Sequence, residues 1–208
     1  MPRSYTLSDK ARADRLAQKQ TTRRALLDAA RALIAERGVD GVSVVEVGRR
    51  AGVSHSLINA YFDGKSGLIR EVVKDFNAPQ IEQPRIIAQS QGSIQDRLRA
   101  IFETWARFDL ADPTLLRVLQ AHTWGWSAEA EEENRRDRAA LKEPIAQLIV
   151  EGRESGLFRP GPSPDTIAEA ILAIYTWGMR DAIFSDPIPD PEKAIAAIWD
   201  QIAALLFA

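Results

Sequence analysis

Cysteine is absent from this chain, which excludes disulfides, thiolate metal sites and thiol-based redox sensing. Histidine is scarce: His55 and His122 are the whole supply. With two histidines, no cysteine and no glycine-rich phosphate loop, few catalytic constellations can be assembled, and the chain reads as a non-enzyme with neither cofactor nor metal. The acidic run Glu129, Glu131, Glu132 and Glu133 does not change this. Its members are nearly consecutive, so they splay around a helix instead of converging, and Arg135, Arg136 and Arg138 follow at salt-bridging spacing; a solvated helix face is the better reading. No run of about 18 apolar residues and no signal-peptide pattern occurs, so neither a membrane nor a secreted location is expected, and cytoplasmic residence is the default.

What is present is ordinary in bulk and uneven in distribution. The 208 residues suffice for one or two domains with a real core, and 45% hydrophobic with 27% charged content is that of a globular protein. The net charge of −2 conceals a split: residues 1–76 carry 14 Lys and Arg against 9 Asp and Glu, whereas residues 77–208 carry 13 against 20. A positive module on an acidic body suits a protein that meets a polyanion with one end only.

Residues 1–20 are polar, carry Arg3, Lys10, Arg12, Arg15 and Lys19 against Asp9 and Asp14, and lack an apolar face. They read either as a mobile basic arm, partly helical, that reaches along a nucleic acid, or as a solvated tail. From Thr21 the residues Ala25, Leu26, Ala29, Ala30, Leu33 and Ile34 recur at helical spacing up to Gly38. Short helices follow at 44–50 and 55–61, and a fourth starts near Lys65, with Pro79 and Pro84 expected to interrupt or kink it. Longer helices are expected at 93–110, 113–123, 127–155, 163–184 and 191–206, with Pro144 kinking or dividing the third of these. No strand pattern or internal repeat competes, so the fold class is all-α. The expected division is a basic arm at 1–20, a small helical domain at 21–76 and a larger helical domain at 77–208.

The stretch SVVEVGRRAGVSHSLINAYFDGKSGL, residues 43–68, carries the function. Ser43 and Glu46 fit a capping box, Gly52 can end a helix in the left-handed conformation, and Ser54 is a good N-cap for a second short helix. Helix, glycine turn and short helix make a helix-turn-helix, whose second member enters the major groove of DNA. Ser54, His55, Ser56 and Leu57 then occupy the start of the recognition helix, with Asn59 and Ala60 one turn later. His and Asn can bond base edges, and Leu57 or Ala60 can meet a thymine methyl. Thr22 and Ser43, at helix N-termini, are candidate phosphate anchors. Val47, Val53, Ile58 and Phe62 are assigned to the small domain's core, and Arg49 and Arg50 to phosphate contact or a solvated face.

Ser43, Ala51-Gly52-Val53-Ser54, Tyr61-Phe62, Lys65 and Leu68 stand at the spacing of the TetR family of bacterial transcriptional regulators, and the chain resembles that family over about residues 21–75. The preceding helix TTRRALLDAARALIAERG resembles the family's first helix, and the second-helix variant is similar to that of the BetI branch. The resemblance implies three helices plus a linker helix in the DNA-binding domain, with Tyr61 and Lys65 on phosphate. Asn59 stands where the family usually has a phosphate-binding tyrosine, which leaves base contact, phosphate contact and plain helix surface open. Gly48 replaces a usual alanine; it costs about 0.5–1 kcal/mol of helix stability unless it permits a close helix crossing.

The resemblance also implies a ligand cavity and a dimer seam in the larger C-terminal domain. Trp105, Phe108, His122, Trp124, Trp126, Tyr175 and Trp177 are the candidate cavity lining; ordinary core or a dimer seam is the competing assignment. Ile167, Ile171, Ile174, Gly178, Ile195, Ile198, Ile202 and Leu205, on the last two helices, are the candidate dimer interface. The expected protein is a homodimeric repressor that binds a roughly palindromic double-stranded operator and is released by a small-molecule effector. An activator, or a helix-turn-helix protein that acts only with a partner, is the alternative.

Overall fold

The structure is a computed structural model and describes residues 7–207. Among the described residues it is all-α, with α1 (Leu7–Arg37), α2 (Val44–Ala51), α3 (Ser56–Phe62), α4 (Gly64–Ala88), α5 (Ile94–Ala111), α6 (Pro113–Thr123), α7 (Ala128–Glu154), α8 (Pro164–Phe184) and α9 (Pro191–Leu206). No helix among them is long and apolar enough to cross a membrane. The chain forms two compact units, Met1–Val73 and Lys74–Ala208, whose boundary falls inside α4.

Capping chemistry sets most helix starts. The side chains of Ser43, Ser93, Ser127 and Ser163 each accept from the backbone N–H three residues on, and Asp112 does the same ahead of Pro113. The capping box at α2 is only half formed. Ser43 Oγ accepts from the Glu46 N–H at 3.2 Å, but the Glu46 carboxylate pairs with Arg37 at 2.7 Å and Arg49 at 3.5 Å. Two nearby guanidiniums outcompete a single amide for that anion. They also hold the Glu46 carboxyl below its ordinary range, chiefly through the Arg37 hydrogen bond.

Three segments whose course the sequence left open are helical throughout. Residues 7–20 are helical and continue α1 without a break; residues 1–6 lie outside the described residues. Pro144 does not divide α7, which runs through it while Pro144, Ile145, Leu148 and Ile149 are buried together. Pro79 and Pro84 likewise sit inside α4 without ending it. In each case one missing backbone N–H is tolerated because apolar packing holds the helix on both sides.

In the first unit, Leu26, Ala30, Leu33 and Ile34 of α1 share a core with Val47, Ile58, Phe62, Leu68 and Val72. Val53 is half-buried at its edge. Arg23 lies 5.3 Å from the Phe62 ring centroid and pairs with Glu71, which ties α1 to α3 and α4. In the second unit, α5 lies among α7, α8 and α9, and its Leu98, Ile101, Phe102 and Trp105 are fully buried.

Candidate functional site

α2 and α3 meet closely because of two glycines. Gly52 ends α2 in the left-handed conformation (φ 69°), and its N–H returns to the α2 carbonyls. Gly48 faces the start of α3: a Cβ there would stand 2.8 Å from both the backbone N and Cα of His55. The glycine therefore permits the close crossing, and the helix propensity it forfeits is the cost of that approach. Gly48→Val should push α3 out of place, at about 1–3 kcal/mol of overpacking. The expected result is at least a tenfold loss of DNA affinity with the helical body still folded; unchanged binding in a titration would show that the crossing tolerates a larger side chain.

α3 starts at Ser56, one residue later than expected, with His55 at its N-cap. Ser54 is not its N-cap; its hydroxyl accepts from the Ser56 N–H at 3.4 Å and lies 2.8 Å from the Ser56 hydroxyl. Ile58 and Phe62 anchor α3 to the core, and this leaves His55, Ser56, Asn59 and Ala60 exposed, with Leu57 half-buried. Asp63 adopts the left-handed conformation and donates its N–H to the Asn59 carbonyl, ending α3 so that α4 begins at once. The Asn59 Oδ1 lies close over Gly64, 3.7 Å from where a Cβ would stand.

Groups suited to phosphate surround this face. Lys65 Nζ, on the first turn of α4, donates to the Asp40 carbonyl at 3.4 Å. Tyr61 is half-buried, and Lys19 Nζ of α1 lies 5.7 Å from its ring centroid. Ser43 is exposed and Thr22 is half-buried on α1. Arg50 is engaged by Glu36 at 2.7 Å, and Arg49, more exposed, by Glu46. The structure thus brings the α3 residues, Tyr61 and Lys65 onto one small domain. Thr22 sits in the middle of α1, about four turns past Leu7, so its amide is not a free helix-terminal donor.

The candidate cavity residues are scattered in the second unit. Trp105 and Tyr175 meet in the core, with ring centroids 5.2 Å apart, and Phe102 stacks on Tyr175 at 5.9 Å. Phe108, His122 and Trp126 are half-buried, while Trp124 and Trp177 are 94% and 76% exposed. Trp177 instead borders an open groove of about 790 Å³ on α8 and α9, together with Gly178, Arg180, Lys193, Ala197 and Gln201. Of the candidate interface residues, Ile167, Ile171, Ile195, Ile198 and Ile202 are taken up by the protomer's own core; Ile174, Gly178 and Leu205 are half-buried.

The core also contains a polar relay. Pro84 has no N–H, so the Gln80 carbonyl in α4 has no helical donor four residues on. The Trp105 indole N–H fills that vacancy, donating to it at 2.7 Å. The Gln80 side-chain amide donates to Asp109 Oδ1 at 3.2 Å, and the Tyr175 hydroxyl donates to Asp109 Oδ2 at 2.7 Å. Asp109 is buried, and desolvation raises its pKa to about 6 against the pull of its two donors. Burial, reinforced by that neighbouring carboxylate, pushes the Tyr175 hydroxyl well above its ordinary range.

Residues 26–72 match the description bacterial regulatory proteins, tetR family, and residues 91–180 match the tetracyclin repressor-like C-terminal domain. The chain belongs to the TetR family. Over 91 residues it is 34% identical to the HTH-type transcriptional regulator BetI of Escherichia coli, covering 43% of this chain and 47% of that protein. The chain thus spans about half the length of the curated relatives it matches. Among solved structures, the fatty acid degradation regulator FadR of Bacillus halodurans is 18% identical with a TM-score of 0.77, covering 87% of this chain and 94% of that one. SmeT, the repressor of the multidrug efflux pump SmeDEF in Stenotrophomonas maltophilia, is 22% identical with a TM-score of 0.70, covering 91% and 92%.

For this TetR-family chain, the sequence pattern singled out the α3 face but missed the Gln80–Asp109 relay. A signal for it was present. Leu98, Ile101, Phe102, Trp105 and Asp109 recur at helical spacing, so Asp109 is a lone acid on an apolar stripe.

Proposed function

We propose that the protein is a transcriptional repressor that reads a roughly palindromic operator as a homodimer and is released by a small molecule taken up in the helical body. The exposed polar face of α3, with Tyr61 and Lys65 beside it, carries this proposal. His55, Ser56 and Asn59 offer the donors and acceptors that base edges require, and Lys65 a cation for phosphate. A twofold protein fits because one α3 covers only a half-site. A second copy placed against α8 and α9 would meet Ala173, Trp177, Ala197 and Ala204, since Ile167, Ile171, Ile195, Ile198 and Ile202 are already buried within the protomer. The effector acts by binding the two arrangements of the dimer with different affinity. Similar proteins have been solved with stearoyl-CoA (FadR of Bacillus subtilis) and with triclosan (SmeT), which supports an apolar effector here.

Selection from a random duplex pool, followed by anisotropy across a salt series, tests this. The expected result is a palindromic consensus whose affinity falls steeply with salt. Lys65→Ala should weaken binding to all duplexes alike and lower the salt slope by roughly 1 per protomer. Failure to enrich any sequence would overturn the repressor assignment.

A further inference from the structure

We propose that the N-terminal extension of α1 is a second DNA-binding element, in which Arg12, Arg15 and Lys19 neutralise backbone phosphates flanking the base pairs met by α3. The proposal rests on the DNA-binding function above. Because α1 is helical from Leu7, these three residues, spaced by three and four, form a stripe on one helix face, with Asp14 on the opposite side. Its direction is set by its C-terminal member: Lys19 Nζ sits over the Tyr61 ring, at the end of α3. Arg12 and Arg15 therefore project from the recognition-helix side of the domain, past the domain's core. From Arg12 to Lys19 the helix rises about 10 Å, enough to reach neighbouring phosphates of one DNA strand.

Ion pairing separates this stripe from five arginines of the unit. Arg23, Arg24, Arg37, Arg49 and Arg50 are each held by a carboxylate. Arg12, Arg15 and Lys19 are exposed, and among the described residues no carboxylate pairs with them. Like charges three and four apart repel along a helix, so the stripe weakens the free extension. A polyanion reverses that sign and releases counterions as it does so.

The test uses the full chain, the duplex selected above with long flanks, and Arg12→Ala/Arg15→Ala. Both residues are exposed, so thermal unfolding should not change. On the long duplex, affinity near 0.15 M salt should fall about tenfold or more, and the slope of log K against log salt by roughly 2 per protomer. Preference among the selected bases should stay the same. On a duplex trimmed to the selected bases, variant and wild type should bind alike, and Arg12→Lys/Arg15→Lys should retain most of the affinity. Wild-type slope and affinity for the alanine variant on the long duplex would overturn the proposal, as would an altered base preference. A wild-type chain that selects no duplex would instead overturn the repressor assignment, and the role of the extension with it.

Discussion

Trp105→Ala should lower the stability of the helical body by about 3–5 kcal/mol, measured by chemical or thermal unfolding. Trp105 is fully buried, and its ring contacts Phe102 edge-on at 5.5 Å as well as Tyr175. Truncation leaves a cavity among rings that cannot all collapse into it. A second loss comes from the indole N–H. It satisfies a carbonyl that Pro84 leaves without a helical donor, and Trp105→Phe isolates this part of the effect. That milder variant keeps most of the aromatic volume yet orphans the buried Gln80 carbonyl, at about 1–3 kcal/mol. A phenylalanine variant as stable as wild type would show that the carbonyl finds another donor.

Asp109→Asn should change how stability depends on pH. The carboxyl has its pKa raised from 3.8 to about 6, so the folded chain binds the proton more tightly than the unfolded one. The wild type therefore loses stability as pH rises through roughly 4 to 6, by about 3 kcal/mol in total, and carries the cost of a buried anion above that window. Asparagine does not titrate. The stability of Asp109→Asn relative to wild type should accordingly be about 2 kcal/mol more favourable at pH 7.5 than at pH 4. Using the difference between two pH values removes whatever offset the amide's own hydrogen bonds introduce. A flat difference would mean that Asp109 is not desolvated in solution. The titrating group is faced by the Tyr175 hydroxyl of α8 and the Gln80 amide of α4, neither charged at neutral pH, so no neighbouring cation offsets the anion.

Helix boundaries were legible in the sequence wherever a capping serine, proline or glycine marked them. α5, α6, α8 and α9 start and stop within a residue of expectation. Proline inside a helix left open whether the helix ends there. Pro79, Pro84 and Pro144 each remove a local hydrogen bond, but whether a helix survives depends on the packing on either side, which local sequence does not encode. The N-terminal extension was left open for a related reason. With no apolar face it read as a partly helical arm or a solvated tail, and α1 continues through it because the helix is anchored at its other end, where Leu26, Leu33 and Ile34 are packed.

The sequence by itself determined the all-α class, the helix-turn-helix, and the polar residues that α3 presents. These follow from short-range rules: helical periodicity, capping and the left-handed turn at Gly52. Only the tertiary structure decided which aromatic residues share a core, that five isoleucines of α8 and α9 are buried within the protomer, and that Gln80, Asp109 and Tyr175 meet. Those contacts join residues far apart in the chain, and an amphipathic pattern states only that a face is buried, not what it is buried against.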